Sequence, residues 1–136
     1  MSFTGGDVLE ITYNHPTLGS GSFQPKAAEE GTYHLGGMRN NDDANSVSSS
    51  GSNIRIMNNT RWFFEQTIAV DQNLAETQEK LAALAQSPVD ATWTITHING
   101  TVYRGNGAPV GEIDANVGNA TLTLKVAGGG TLQKIQ

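Results

Sequence analysis

The sequence predicts a mainly β domain: a small antiparallel sandwich or barrel of about seven strands, flanked by one α-helix and carrying a long protruding loop. Three observations predict it. Apolar residues alternate with period two through most of the chain, sixteen glycines favour tight turns, and one stretch alone has helical apolar spacing. At 136 residues the chain has the length of a single domain, taken here as 1–136.

Residues 1–6 read as an N-terminal arm. "DVLEITY" (7–13) is a first strand, with Leu9, Ile11 and Tyr13 alternating with Glu10 and Thr12. "HPTLGSGS" breaks it with Pro16 and two glycines. Short extended pieces follow near Phe23 and Tyr33, the first demoted to an edge or bulge by Pro25. "NIRIMNN" and "TRWFFEQTIAVD" are two β-rich runs around an Asn58-Asn59 turn, and 61–70 is the longest strand.

The helix is expected over 71–87. Leu74, Leu81 and Leu84, with Thr77 and Ala85, form its apolar face; Glu76, Glu79 and Lys80 form the polar one. Asp71, or Asn73 with Glu76, caps it, and Pro88 stops it. "ATWTITHI" and "TVYRG" flank Asn99-Gly100, which predicts a hairpin with a type I′ turn. Trp93 and Ile95, with His97 beyond them, share one face of the first of these strands. A short strand at 110–114, a long one with Leu122, Leu124 and Val126 inward, and a C-terminal tail at 127–136 complete the chain.

The composition excludes several function classes. With no cysteine there is no thiol nucleophile, disulfide or zinc-thiolate site. The formal charge of −5 makes a poor DNA binder. No apolar run reaches membrane-spanning length and no signal peptide opens the chain, so synthesis is expected in the cytoplasm without membrane contact.

Motifs for chemistry are weak. His15, His34 and His97 have no metal-ligand spacing. "NNDDAN" fails the calcium-loop pattern. "GNGAPVG" is glycine-rich like a phosphate loop, but a strand is expected after it instead of a helix. Ser48, Ser49 and Ser50 lack a nucleophile elbow, and Glu29 and Glu30 are adjacent, so they point to opposite faces of a strand. Trp62, Phe63, Phe64 and Trp93 read as core or interface before they read as a sugar-stacking platform. No enzyme activity, metal or cofactor is expected.

The stretch "GGMRNNDDANSVSSSGSN" (36–53) is far longer than a turn requires, and unstructured loops beyond about 12–15 residues are usually functional or disordered. Fully extended it spans about 60 Å, and doubled back it projects about 25–30 Å. It has no aromatic anchor and is expected to order on contact with another subunit. Its candidate contact residues are Met38, Arg39, Asn40, Asn41, Asp42, Asp43, Ala44, Asn45, Ser46 and Val47, with Met38, Val47 and Ile54 as the apolar anchors.

The pieces "GGMRNNDDANSV", "SPVDATWTITHINGTVYRGNGAPVGEI" and "ATLTLKVAGGG" give the chain a likeness over nearly its whole length. It resembles the tail tube proteins of contractile-tailed bacteriophages. The resemblance implies two packed antiparallel sheets forming a small barrel beside one helix. It implies hexameric rings stacked head-to-tail into a hollow tube, with strands of neighbours joined into one inner barrel and the long loop packed on the next ring. Such a tube belongs to the virion and passes DNA into the host without specific binding. Tail sheath, tape-measure, baseplate and tail terminator proteins are the partners it implies.

Six copies of a −5 chain carry −30 per ring, so a negative lumen that repels phosphate is expected. Asp7, Glu10, Glu65, Asp90, Glu112 and Asp114, in or beside strands, are the lumen-facing candidates. Other readings are the tube of a related contractile device (a bacteriocin or secretion system), a carbohydrate-binding β-sandwich with Trp62 or Trp93 exposed, and a small hydrolase.

Overall fold

The computed structural model describes residues 5–29, 31–70, 76–111, 113–116 and 118–135. It is mainly β, with one helix among the described residues. In the first half lie β1 (Val8–His15), β2 (Gly19–Phe23), β3 (Thr32–His34), β4 (Gly37–Asn40), β5 (Ser46–Val47), β6 (Asn53–Ile54), β7 (Met57–Thr60) and β8 (Trp62–Ala69). Then come α1 (Glu76–Gln86), β9 (Ala91–His97), β10 (Val102–Pro109), β11 (Ala115–Asn116), β12 (Thr121–Gly128) and β13 (Gln133–Lys134).

A nine-stranded antiparallel sheet runs in the order β2-β1-β9-β10-β12-β8-β3, with β11 on β12 and β13 on β10. β10 is its seam. One edge of β10 pairs with β9 from Val102 to Gly107; the other is shared by β13 at Tyr103 and Arg104 and by β12 at Ala108 and Pro109. The chain beyond β2 crosses to the far end of the strip. There Lys26 N–H donates to Thr67 O (2.9 Å), Ala69 N–H donates to Gln24 O (2.7 Å), and Pro25 bridges Ile68. These contacts close the strip into a small barrel and pair an edge that would otherwise stay open.

The alternation predicted for β9 and β12 holds: Trp93, Ile95, Leu122, Leu124 and Val126 are buried. β1 departs from it. Ile11 and Tyr13 are buried, but Leu9 is 50 % exposed and Val8 takes the inward position. A register shift between Val8 and Glu10 inserts one residue, and a one-residue slip reverses the face.

Further differences have local causes. Asn58 and Asn59 are no turn; they sit within β7, paired with Arg39 and Met38. The strand expected at 110–114 is absent at its described residues Val110, Gly111, Ile113 and Asp114: β10 extends to Pro109 and the next strand begins at Ala115. The Asn99-Gly100 hairpin forms, but its loop has three residues. His97 N–H donates to Thr101 O (2.8 Å), Gly100 N–H donates to His97 O (3.0 Å), and positive φ is confined to Gly100 (91°), so the turn is type I with a glycine bulge. The described part of the tail expected at 127–136, residues 127–135, is tied to the barrel: Leu132 is buried and β13 pairs with β10.

The helix lies across one end of the barrel. Leu81 and Leu84 enter the core, while Ala85, expected on the same face, is exposed because the contact stripe is narrow. Leu74 and the caps Asp71 and Asn73 lie outside the described residues. His15, 2 % exposed, ties the helix end to the first hairpin. Its Nδ1 accepts from the N–H groups of Thr17 (3.1 Å) and Leu18 (3.0 Å), so Nε2 carries the proton toward Ser87 Oγ (2.9 Å) and Val89 O (3.1 Å).

Two tests follow from this packing. A Cβ at Gly105 would sit 2.8 Å from Trp62 Cε2, whereas one at Gly129 meets nothing within 4 Å. Gly105→Ala is expected to cost about 1–3 kcal/mol and lower Tm by about 3–10 °C, with Gly129→Ala near wild type, as read by thermal unfolding. Leu81→Asp, placing a carboxylate at a fully buried position, is expected to abolish the cooperative transition.

Candidate assembly surface

The longest feature outside the barrel is the segment 37–60. It is not a loop over 36–53 but a β-hairpin arm. Inside the barrel β3 pairs with β8: Thr32 with Glu65, Tyr33 with Phe64, His34 with Phe63. After a break at residues 35–36 and 61, β4 pairs with β7 in the same register, from Gly37–Thr60 to Asn40–Met57. The arm is therefore the in-register continuation of a core ladder, and its direction is set by β8. From Gly37 to its tip it reaches at most about 40 Å at strand rise.

The break is where the arm is clamped. Gly36 has φ 80°, and a Cβ there would lie 2.7 Å from Gly130 O and 2.8 Å from Trp62 N. Only glycine fits this close approach. Gly36 N–H donates to His34 Nδ1 (3.0 Å), Gly36 bridges Thr131, and Leu132 N–H donates to Leu35 O (2.8 Å). The C-terminal segment thus grips the arm's root.

The polar composition builds the arm. Asn41 Nδ2 donates to Asn58 Oδ1 (2.9 Å), Asn45 Nδ2 to Asn40 Oδ1 (2.7 Å), and Ile56 N–H to Asn45 Oδ1 (2.7 Å). The N–H groups of Ala44 and Asn45 turn back onto Asn41 O, leaving Asp42 and Asp43 exposed on the turn. Beyond it β5 pairs with β6, Ser46 with Ile54 and Val47 with Asn53. At the tip Ser48 N–H donates to Ser52 O (2.8 Å), Ser52 N–H returns to Ser48 Oγ (3.1 Å), and Gly51 turns at φ 92°. Short side chains that bond the backbone make such turns.

Apolar side chains stand uncovered on this arm. Met38, Val47, Ile54 and Met57 are 53 %, 63 %, 43 % and 45 % exposed. Met38 and Met57 share a face, because Met38 opposes Asn59 and Met57 opposes Asn40 two rungs along, and alternate rungs point the same way. Arg39, with Nη1 donating to Met38 O (2.9 Å), lies on the other. The sequence reading missed Met57, which the register shared by β3–β8 and β4–β7 places on the arm, and gave Gly36 no role, which its φ and its close approach to Gly130 and Trp62 define.

The acidic candidates do not converge. Asp7 Oδ1 accepts from Ala28 N–H (3.0 Å), a residue held at φ 63°. Glu10 lies on the outer face of β1, whereas Glu65, opposite Lys125, lies on the outer face of β8 in the other half of the barrel. Asp90 and Asp114 are exposed beside β9 and β11, and Glu112 and Glu30 fall outside the described residues.

The candidate chemical motifs disperse likewise. "GNGAPVG" is largely strand β10, the serines 48–50 form the arm tip, and Trp62, Phe64 and Trp93 are fully buried. Among the described residues no group of three or more His, Asp or Glu is placed to hold a metal ion.

One aromatic cluster faces a cleft of about 350 Å³ lined by Gly5, Gly6, Asp7, Ile98 and Lys134 among others. Tyr33 lies 5.3 Å from His97 and 5.1 Å from Tyr103, ring centre to ring centre. Burial pushes the Tyr33 hydroxyl pKa up, and its hydrogen bond with Tyr103 pushes the same way. Among the described residues the buried His97 Nε2 has no hydrogen-bond partner, and burial holds its pKa below the usual histidine value.

No family model matches the chain, and no curated protein matches it.

A depressed His97 pKa has a definite sign. Above the ordinary value of 6.5 the ring is neutral folded or unfolded; below it the unfolded chain takes up a proton that the folded one resists. Stability is expected to fall as pH drops below 6.5 toward the lower folded value. His97→Gln is expected to flatten that part of a Tm-against-pH curve.

Proposed function

We propose that the chain is the repeating subunit of a tail tube: a virion structural protein whose hexameric rings stack head-to-tail into the hollow channel through which phage DNA passes. Its role is structural, not catalytic. The observation that carries the reading is the arm. A hairpin held in register with a core ladder, clamped at its root and exposing Met38, Val47, Ile54 and Met57, has the form of a lever that seats on another copy. Uncovered apolar side chains on a projecting element mark an interaction site. Head-to-tail contacts closing around a ring and repeating along its axis then give an open-ended tube.

The resemblance supplies the ring number, the DNA cargo and the partners: sheath, tape-measure, baseplate and terminator. The tube of a bacteriocin or secretion device shares every one of these structural supports and differs in its cargo. The sugar-binding reading loses its platform, because Trp62 and Trp93 are both 0 % exposed.

Because Asn40 opposes Met57, replacing 41–56 by Asn-Gly closes β4 onto β7 with a two-residue turn. The shortened chain is expected to keep its circular-dichroism spectrum and a Tm within a few degrees of wild type, and to form no filaments in electron micrographs. Long filaments from it would exclude the arm as the inter-ring contact.

A further inference from the structure

The sequence has three methionines and no cysteine, and Met1 lies outside the described residues. All sulfur among the described residues therefore sits on the arm, at Met38 in β4 and Met57 in β7. Both side chains are about half exposed. Met38 opposes Asn59, and Met57 lies two residues before Asn59 on the same strand, so the two are diagonal neighbours on one face of the ladder. Such diagonal partners stand about 7–8 Å apart, within reach of long side chains.

The other groups that peroxides attack are shut away. Trp62 and Trp93 are fully buried, with their indole N–H groups committed to backbone carbonyls. No thiol competes for oxidant. A peroxide in solution meets the two arm thioethers first. A thioether is flexible and polarisable, and moulds itself to an apolar partner; its sulfoxide is polar and chiral, and disrupts such contacts.

We propose that Met38 and Met57 form a paired oxidation site whose state gates assembly, with hydrogen peroxide or another hydroperoxide as the oxidant. Each sulfur gives an electron pair to one peroxide oxygen. The S–O bond forms as the O–O bond breaks, and the transferred oxygen loses its proton to the departing hydroxide, which leaves as water. The sulfur is oxidised by two electrons and the peroxide is reduced. The oxidised arm then carries two polar oxygens where contact with the next copy would bury them, and a buried acceptor without a donor is costly. In the assembled state the same contact covers the sulfurs and protects them. The gating rests on the tubular reading; the oxidation site rests on exposure in the free chain alone.

The purified full chain, diluted below the concentration that gives filaments, is treated with hydrogen peroxide, quenched with catalase and mapped by mass spectrometry of its peptides. One added oxygen is expected on each of Met38 and Met57, with Trp62 and Trp93 unchanged. A folded chain whose arm methionines oxidise no faster than its tryptophans overturns the site.

Assembly is read by electron microscopy and light scattering. Oxidation is expected to raise the concentration needed for filaments by at least about tenfold. Methionine sulfoxide reductases with a thiol reductant are expected to restore the starting value. Filaments formed before treatment are expected to keep both sulfurs reduced at the same dose. A fully sulfoxidised chain that assembles like the untreated one, a loss that persists after both sulfurs are reduced again, or equal oxidation in filaments and free chain overturns the gating. Met38→Leu/Met57→Leu, compared with its own untreated sample, is expected to show no effect of peroxide on assembly. A loss in that variant places the cause elsewhere and overturns the gating; where the variant does not assemble, the reductase reversal decides. An untreated wild-type chain that forms no filaments under any condition overturns the tubular reading and the gating with it, and the peptide map then decides the oxidation site by itself.

Discussion

Everything in this structure depends on how β10 passes between two β ladders. Along one edge it leaves β13 after Arg104 and joins β12 at Ala108. Two tryptophans fix that stretch. Trp62 Nε1 donates to Asn106 O (3.1 Å) and Trp93 Nε1 to Gly107 O (3.0 Å). Both indoles are fully buried, and a buried indole needs such an acceptor. Gly105 and Gly107 make room: a Cβ on either would strike the Trp62 ring, and one on Gly107 would also strike the Ala127 carbonyl. The seam is thus a matched pair of large rings and absent side chains.

The arm inherits its order from this seam. Trp62 is the first residue of β8, and its backbone N closes on Gly36 at the arm's root. A ladder that begins at Thr32 and Glu65 in the core therefore emerges aimed and clamped. A free hairpin of two short strands is marginal in water. Here the core ladder and the asparagine side chains offset that weakness. The conformational cost of ordering the arm is then met on folding instead of on assembly, which favours tight docking.

The fold class was legible in the sequence because the inward residues of β8, β9 and β12 alternate cleanly and one leucine-spaced run stands apart. The β1 bulge was not legible: Val8 and Leu9 are equally apolar, and only the pairing with β9 decides which turns inward. The asparagines misled in two directions. Asn58-Asn59 has turn composition yet lies in β7, because Arg39 and Met38 pair with it. Asn41 and Asn45, read as part of a loop that orders on contact with another subunit, bond within the arm itself and hold it. Position along the chain pointed to Met38 and Val47 as exposed apolar residues of the arm, while Met57 emerged only from register. Acidic lumen candidates chosen by strand location scattered over both halves of the barrel, since net charge carries no information about which face a carboxylate takes.

The central claim is that a clamped, apolar-faced arm makes this chain a self-assembling subunit. Negative-stain electron microscopy of the purified full chain at rising concentration, with light scattering alongside, tests it most directly. The account predicts rings or hollow filaments whose mass grows with concentration. A chain that stays monomeric throughout, with Met38 and Met57 still uncovered, would contradict it.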